Sequence, residues 1–205
     1  MGGLMRTLAG IAFLAAAAAA SPASPRPVTD SDIASGDYGG EMLIAVDPAS
    51  HIVRGYYQSS TGNGRFNCIF YFSGKVNGAI RSYFPETPEE VVMGTLSRES
   101  DGSLSVRLAT EHGGCWNVQH FADKDQPAEF TLQTAYPWVA VAVIKSARAH
   151  LYDSPANAVP RKSYVVKGDG VGIRAQRPGW LQVDFLGGGK PVRGWIRSSD
   201  VYPMS

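Results

Sequence analysis

The sequence predicts an all-β protein, with an N-terminal antiparallel β-barrel or sandwich followed by a second, smaller β-barrel. Short segments alternate between apolar and polar residues, as residues 103–109 do, and this period of two is typical of strands. Turn-forming pairs such as Asn77 with Gly78 and Asp101 with Gly102 separate these segments. No stretch combines the apolar spacing and the capping residues of a long amphipathic helix.

The first domain is predicted to occupy residues 35–137. Many short strands at regular spacing favour a closed or two-layered antiparallel sheet. Pro137 interrupts the strand pattern, because proline cannot donate to a sheet ladder, and residues 138–205 follow a different pattern. The predicted strands of the first domain cover residues 41–46, 52–57, 65–72, 79–84, 91–97, 103–109 and 129–133.

The N-terminus has the layout of a cleaved signal peptide over residues 1–23. Arg6 supplies positive charge, residues 8–20 form an alanine-rich apolar run, and cleavage fits after Ala20 or after Ala23. The run is too short for a convincing membrane span. Residues 24–34 then read as a flexible leader. We therefore expect a periplasmic or secreted bacterial protein without an integral membrane span after signal cleavage.

The chain contains two cysteines, Cys68 and Cys115. An exported protein meets an oxidising compartment, where thiols pair rather than stay reduced. We therefore predict a single disulfide between Cys68 and Cys115 with a structural role.

The net charge changes sign along the chain. Residues 24–140 contain 8 Lys and Arg against 14 Asp and Glu, whereas residues 141–205 contain 10 against 4. Such an asymmetry indicates two domains, or two halves with different partners. The basic residues of the second half that we assign to one face are Arg161, Lys162, Lys167, Arg174, Arg177, Arg193 and Arg197.

Residues 138–205 carry a series of short motifs in a recognisable order. A valine-led strand precedes a proline-bearing loop at Ser154 and Pro155, and a Gly-Asp pair precedes a short strand. Two Gly-Trp steps follow, the first in the form Gly-Trp-x-x-Val. The residues of these later motifs are Gly168, Asp169, Gly179, Trp180, Val183, Gly194, Trp195 and Ile196.

In this order and spacing, the segment resembles the bacterial SH3 (SH3b) family over about 60 residues. The resemblance implies a small SH3-like barrel that binds peptidoglycan or a peptide in the cell envelope. Where the family usually has Asn-Val-Arg, this chain has His150, Leu151 and Tyr152. The ligand-binding residues that the resemblance suggests are Tyr152, Asp153, Tyr164, Trp180, Asp184 and Trp195. The two tryptophans are first of all expected to stabilise the small barrel.

No motif indicates catalysis, and we expect a protein without enzyme activity. A cysteine peptidase needs a thiolate nucleophile beside a histidine base. If Cys68 and Cys115 are paired in a disulfide, neither of them is a thiolate. His112, Cys115 and His120 match no closed zinc pattern, so we predict neither a metal site nor a cofactor. Phosphate-binding and dinucleotide motifs are missing as well.

Three hypotheses for function remain. The favoured one is a non-catalytic envelope protein whose second domain binds peptidoglycan or a peptide. In the alternative, the first domain inhibits a secreted enzyme through a loop at residues 59–65, as an inhibitor or immunity protein does. A third reading makes the first barrel a small-ligand carrier. The basic face meets either an anionic partner or the acidic first domain, and nucleic acid is not an expected partner of an exported protein.

Overall fold

The computed structural model describes residues 33–187 and 190–203. The predicted signal peptide and most of the predicted leader lie outside the described residues. The three consecutive glycines at 187–189 predict a tight hairpin, and Gly188 and Gly189 lie outside the described residues as well. Ile33 belongs to the predicted leader, yet its side chain is buried in the first core. The packed part of the chain therefore includes residues before the predicted boundary at residue 35.

The all-β prediction is confirmed. In the described ranges the helical elements are two 3₁₀ turns, Cys115–Asn117 and Ser198–Asp200. The first sheet contains β1 (Gly36–Tyr38), β2 (Met42–Val46), β3 (Val53–Thr61), β4 (Phe66–Gly74), β5 (Gly78–Phe84), β6 (Thr87–Arg98), β7 (Leu104–Leu108), β8 (Ala128–Phe130) and β9 (Leu132–Ala135). The second sheet contains β10 (Ala140–Val143), β11 (Arg148–Ser154), β12 (Asn157–Val166), β13 (Gly170–Arg177), β14 (Trp180–Phe185) and β15 (Val192–Arg197).

The first sheet curls into a nearly closed barrel. Its strand order is β8-β7-β6-β5-β4-β3-β2-β1-β9, so β8 and β9 form its two edges. Only Thr131 separates those two strands in the chain. An extended residue spans about 3.5 Å, so the two edges must lie beside each other. Closure of this kind protects the edge strands from pairing with another chain.

Aromatic rings fill the interior of this barrel. The period-two alternation of the β4 sequence predicts that Phe66, Phe70 and Phe72 share an inward face, and Phe70 and Phe72 are fully buried. Tyr57 and Phe121 pack edge-on against each other, with ring centroids 4.9 Å apart. Phe66 differs from the prediction, because it lies at the first residue of β4, at the barrel rim, and is 44% exposed. The packing of these rings argues against a ligand cavity inside the barrel.

The predicted disulfide is confirmed. Cys68 on β4 is bonded to Cys115 at the start of the first 3₁₀ turn, and their Cα atoms are 4.3 Å apart. Both residues are fully buried in the barrel core. The bond therefore ties the segment that follows β7 to the wall of the barrel.

The second sheet has the order β10-β13-β14-β15-β11-β12. Alternate residues of its strands turn inward, and Leu181 and Val183 on β14 form a second core with Leu151 and Ile196. The residues between them point to the opposite face. That outward face contains both tryptophans of the Gly-Trp steps.

The two sheets pack against each other through a third buried cluster, in which the outer face of the barrel meets β10. Tyr56, Tyr71 and Tyr83 of the first sheet contact Val141 and Val143. Because these tyrosines lie on the outward side of β3, β4 and β5, the barrel core and this seam use opposite faces of the same strands. Residues 31–205 accordingly form one compact unit.

In the part of the chain that the structure describes, no helix is both long enough and apolar enough to cross a membrane.

Candidate ligand-binding face

Strand register brings the distant aromatic residues of the second sheet together. Trp180 on β14 pairs with Arg197 on β15, and Trp195 pairs with Tyr152 on β11. Residues paired in this way, and residues two apart on one strand, share a face. We call this outer surface the aromatic–arginine face; its members are Arg148, Tyr152, Tyr164, Arg177, Trp180, Trp195 and Arg197.

Guanidinium groups cover the indole rings on this face. The Arg197 Cζ atom lies 4.5 Å from the centroid of the Trp180 ring, and the Arg177 Cζ atom lies 5.2 Å from that of Trp195. Tyr152 packs edge-on against Trp180, with centroids 4.9 Å apart. This cover explains why Trp180 and Trp195 are only 9% and 8% exposed although they lie outside the second core.

The arrangement has a chemical consequence. An arginine stacked on an aromatic ring is attracted to the ring face, while the N–H groups at the edge of its plane stay free to bind a carboxylate in bidentate geometry. Arg177 and Arg197 are themselves exposed. The face is therefore suited to a ligand that has both anionic groups and flat or apolar parts.

The same face continues onto β11 and β12. Arg148 lies over the ring of Tyr164, with its Cζ atom 4.8 Å from the centroid. His150 pairs with Tyr164 across the two strands, and Tyr164 is 41% exposed. A third arginine-covered aromatic ring thus extends the surface that begins at Trp180.

Asp184 is predicted to bind ligand, but in the structure its carboxylate is buried and bonded to other residues of the protein. Its carboxylate is completely buried. Its Oδ2 atom accepts hydrogen bonds from Trp138 Nε1 at 3.0 Å and from Arg174 at 2.7 Å, and its Oδ1 atom accepts one from Arg193 at 2.8 Å. Burial would raise the pKa of Asp184, but the bonds from Arg193, Arg174 and Trp138 outweigh burial and lower it below the usual value.

Trp138 joins this network to the seam between the sheets. Its ring stacks on Tyr136, with centroids 4.6 Å apart, and it lies directly over the backbone of Gly172. A Cβ atom on Gly172 would overlap the indole. Glycine at this position therefore allows Trp138 to reach Asp184.

We expect Gly172→Ala to lower the free energy of unfolding by about 2 kcal/mol, because overpacking displaces the Trp138 ring and its hydrogen bond. Urea unfolding followed by tryptophan fluorescence measures this change. Gly113→Ala is the matched control, since a Cβ atom there meets no neighbour within 4 Å. Equal stability of the two variants would contradict this account of Trp138.

The predicted basic residues separate into paired and available groups. Arg174 and Arg193 are bound to Asp184. Arg161 is bound to the carboxylate of Asp153, with Nη2 and Oδ1 2.5 Å apart, and also donates to the carbonyl of Arg193. Asp153, a predicted ligand-binding residue, therefore has an arginine partner outside the aromatic–arginine face.

Lys167 contacts the first sheet. Its Nζ atom lies 2.7 Å from Oε1 of Glu86, and the Tyr202 hydroxyl donates to the same carboxylate oxygen at 3.0 Å. The hydroxyl of Tyr56 also donates to the carbonyl of Gly168 at 2.5 Å. Of the two partners considered for the basic residues, Lys167 therefore contacts the acidic first domain. Lys162 is exposed on β12.

The three residues considered as metal ligands are committed to other contacts. Cys115 is in the disulfide, and His120 packs edge-on against Trp116, with centroids 4.7 Å apart. The Nε2 atom of His112 lies 2.6 Å from the Ser82 hydroxyl. Among the described residues, no group of three His, Cys, Asp or Glu side chains has the arrangement of a metal site.

The Ser82–His112 contact was not predicted from the sequence. A hydroxyl beside an imidazole is the arrangement of a nucleophile and its base, but both residues are buried at the barrel end, where His112 stacks on Phe70. Burial lowers the pKa of His112, and the charge of Glu111 opposes this shift. We interpret the pair as two buried polar groups that satisfy each other.

Comparison of the chain with family models, with curated proteins and with solved structures finds no match. The resemblance to bacterial SH3 domains therefore stays a prediction from the motifs.

Proposed function

We propose that this protein is a non-catalytic envelope protein that binds acidic cell-wall or peptide ligands through the aromatic–arginine face. The observation that carries the proposal is the stacking of Arg197 on Trp180 and of Arg177 on Trp195. In the described part of the chain, neither guanidinium forms a salt bridge with a carboxylate. Their hydrogen-bonding edges are thus available for an anionic ligand.

Two further features support this proposal. The Cys68–Cys115 disulfide fits a location outside the cytoplasm, because disulfides persist in oxidising compartments. The motif order of the second sheet resembles that of SH3b domains, which are associated with wall and peptide recognition. Peptidoglycan stems carry free carboxylates, so the wall supplies ligands of the required charge.

A second candidate function is inhibition of an enzyme by the rim of the first barrel. Phe66 and Trp116 are 44% and 65% exposed, and they lie next to the disulfide, two residues from Cys68 and adjacent to Cys115. The Thr61 hydroxyl also donates to the carbonyl of Asn117 at 2.8 Å, which joins the β3–β4 hairpin to the 3₁₀ turn. Exposed aromatic residues on such constrained loops are typical of binding hot spots.

Sedimentation of the full chain with purified insoluble peptidoglycan tests the favoured function. We expect binding at about 0.05 M salt that weakens strongly at about 0.3 M, because salt screens exposed charges over roughly a Debye length. Binding that does not change with salt would contradict a role for the two arginines. Failure to bind at either salt concentration would reject wall recognition and favour the rim as the functional surface.

A further inference from the structure

A second candidate site lies at the seam between the two sheets, away from the aromatic–arginine face. A cavity of about 440 Å³ opens there, and residues from both sheets line it. Cavities of this volume are within the range that binds small ligands. Its polar lining includes Asp47, Arg54, Lys145, Gln176 and Ser198.

Arg54 is the central feature of the cavity. It lies on the outward side of β3, in register with Ala45 on β2 and Ser73 on β4. In the described part of the structure its buried Nε atom has no hydrogen-bond partner, and the buried hydroxyl of Tyr71 has none either. Most buried donors in folded proteins are satisfied, so Arg54, which lines the cavity, retains hydrogen-bonding capacity for an acceptor.

The charges around the cavity favour an anion. Arg54 and Lys145 supply two cations against one carboxylate, that of Asp47. The Asp47 Oδ1 atom already accepts hydrogen bonds from the backbone N–H groups of Ala49 and Ser50 at 2.8 and 3.0 Å. These bonds, together with the nearby charge of Arg54, lower the pKa of Asp47, so one of the two cations has a carboxylate neighbour and the lining keeps an excess of one positive charge.

A second acidic residue, Asp200, lies beside the backbone of Lys145. The carboxylate of Asp200 lies on the turn after β15 and accepts a hydrogen bond from the Ser146 hydroxyl at 2.6 Å. Its backbone carbonyl accepts a bond from the Lys145 N–H. The side chain of Lys145 is exposed, and the residue lines the cavity.

The remaining walls of the cavity are apolar. Leu181 and Val201, which belong to the second core and are 7% and 9% exposed, line it together with Tyr202. An anionic group at Arg54 would therefore have an apolar neighbour on the other side. This combination matches a carboxylate attached to an aliphatic side chain, in which the guanidinium binds the acid and the core residues contact the hydrocarbon.

We propose that the seam cavity binds a carboxylate with an adjacent aliphatic group, held by Arg54 and Lys145. Two kinds of ligand contain such a group: a small free acid, and the C-terminus of a peptide. The proposal does not depend on wall binding by the aromatic–arginine face, because the two sites share no residue.

The test is a titration of the ¹⁵N-labelled protein followed by NMR. The probes are N-acetyl-leucine, its uncharged amide, and N-acetyl-glycyl-glycyl-leucine. We expect N-acetyl-leucine to cause saturable chemical-shift changes at the backbone N–H groups of Arg54, Lys145 and Ser198. The affinity of its uncharged amide should be lower by at least about tenfold. Comparable binding of the tripeptide identifies peptide C-termini as the source, and weaker binding identifies small free acids; either result supports the site.

Variants make the test specific. Arg54→Gln is expected to weaken binding of the acid at least about tenfold. Arg81→Gln is the matched control, because Arg81 is in register with Ser73 beyond Arg54 on the same outer surface but does not line the cavity; its affinity should not change. If Arg54→Gln does not fold, Lys145→Gln is used instead, since Lys145 is exposed. Unsaturable shifts, equal binding of acid and amide, or unchanged affinity in the folded variant would overturn the proposal.

Discussion

Replacing Cys68 and Cys115 together with alanine is expected to lower the free energy of unfolding by about 4 kcal/mol. The disulfide closes a loop with a sequence separation of 47 residues, and a cross-link of that length removes this much chain entropy from the unfolded state. The loop contains β5, β6 and β7, so their tethering is lost with the bond. Urea unfolding at neutral pH measures the difference.

The oxidised and reduced wild-type proteins provide the control for this experiment. Reduction should bring the wild type close to the double variant, and a reductant should leave the double variant unchanged. A loss below about 1 kcal/mol would contradict a stabilising role, because native disulfides in small exported domains typically contribute 2–5 kcal/mol.

Asp184→Ala is expected to destabilise the protein by about 3 kcal/mol. The variant leaves Arg174, Arg193 and the indole N–H of Trp138 without their shared acceptor, and removing one partner of a buried ion pair costs roughly 3–5 kcal/mol. The lower end applies because the Arg193 side chain is half exposed and remains hydrated. Thermal and urea unfolding of the variant and the wild type give the value.

The pH dependence distinguishes the charge of Asp184 from its packing. Its folded-state pKa is lowered, so its contribution is complete above the unfolded value of about 4 and is lost as the pH falls through the folded-state pKa. The stability difference between wild type and Asp184→Asn should therefore shrink in acid. Asp153→Asn is the control, since the exposed Asp153–Arg161 pair contributes about 1 kcal/mol or less. A pH-independent difference at position 184 would show that packing alone is responsible.

Local alternation predicted most strands of the first sheet, but two features of the barrel depend on distant residues. The three residues of β1 contain too short a pattern to be recognised, and they pair with both β2 and β9. The predicted strand 129–133 is divided at Thr131 into β8 and β9, which pair with opposite edges of the sheet. Closure of the barrel requires this break, and no local pattern encodes it.

The candidate site was predictable only in part, because its residues come from strands that are distant in the chain. The Gly-Trp motifs indicated the importance of Trp180 and Trp195, but register across β11 and β15 determines that Tyr152 lies beside them. Charge composition placed Arg177 and Arg197 on a basic face, but their stacking on the indoles follows from that register. Asp184 is the acidic residue of β14, and its hydrogen bond with Trp138 depends on the packing of two sheets.

The most direct test of the proposed function compares two double variants in peptidoglycan sedimentation at low salt. Arg177→Gln with Arg197→Gln removes the charges stacked on the indoles, whereas Lys75→Gln with Lys124→Gln removes two exposed cations from the connections between strands of the first barrel. Both change the net charge equally. We expect the arginine variant to bind about tenfold more weakly and the lysine variant to bind as the wild type does. Equal binding by the two variants would contradict ligand recognition by the aromatic–arginine face.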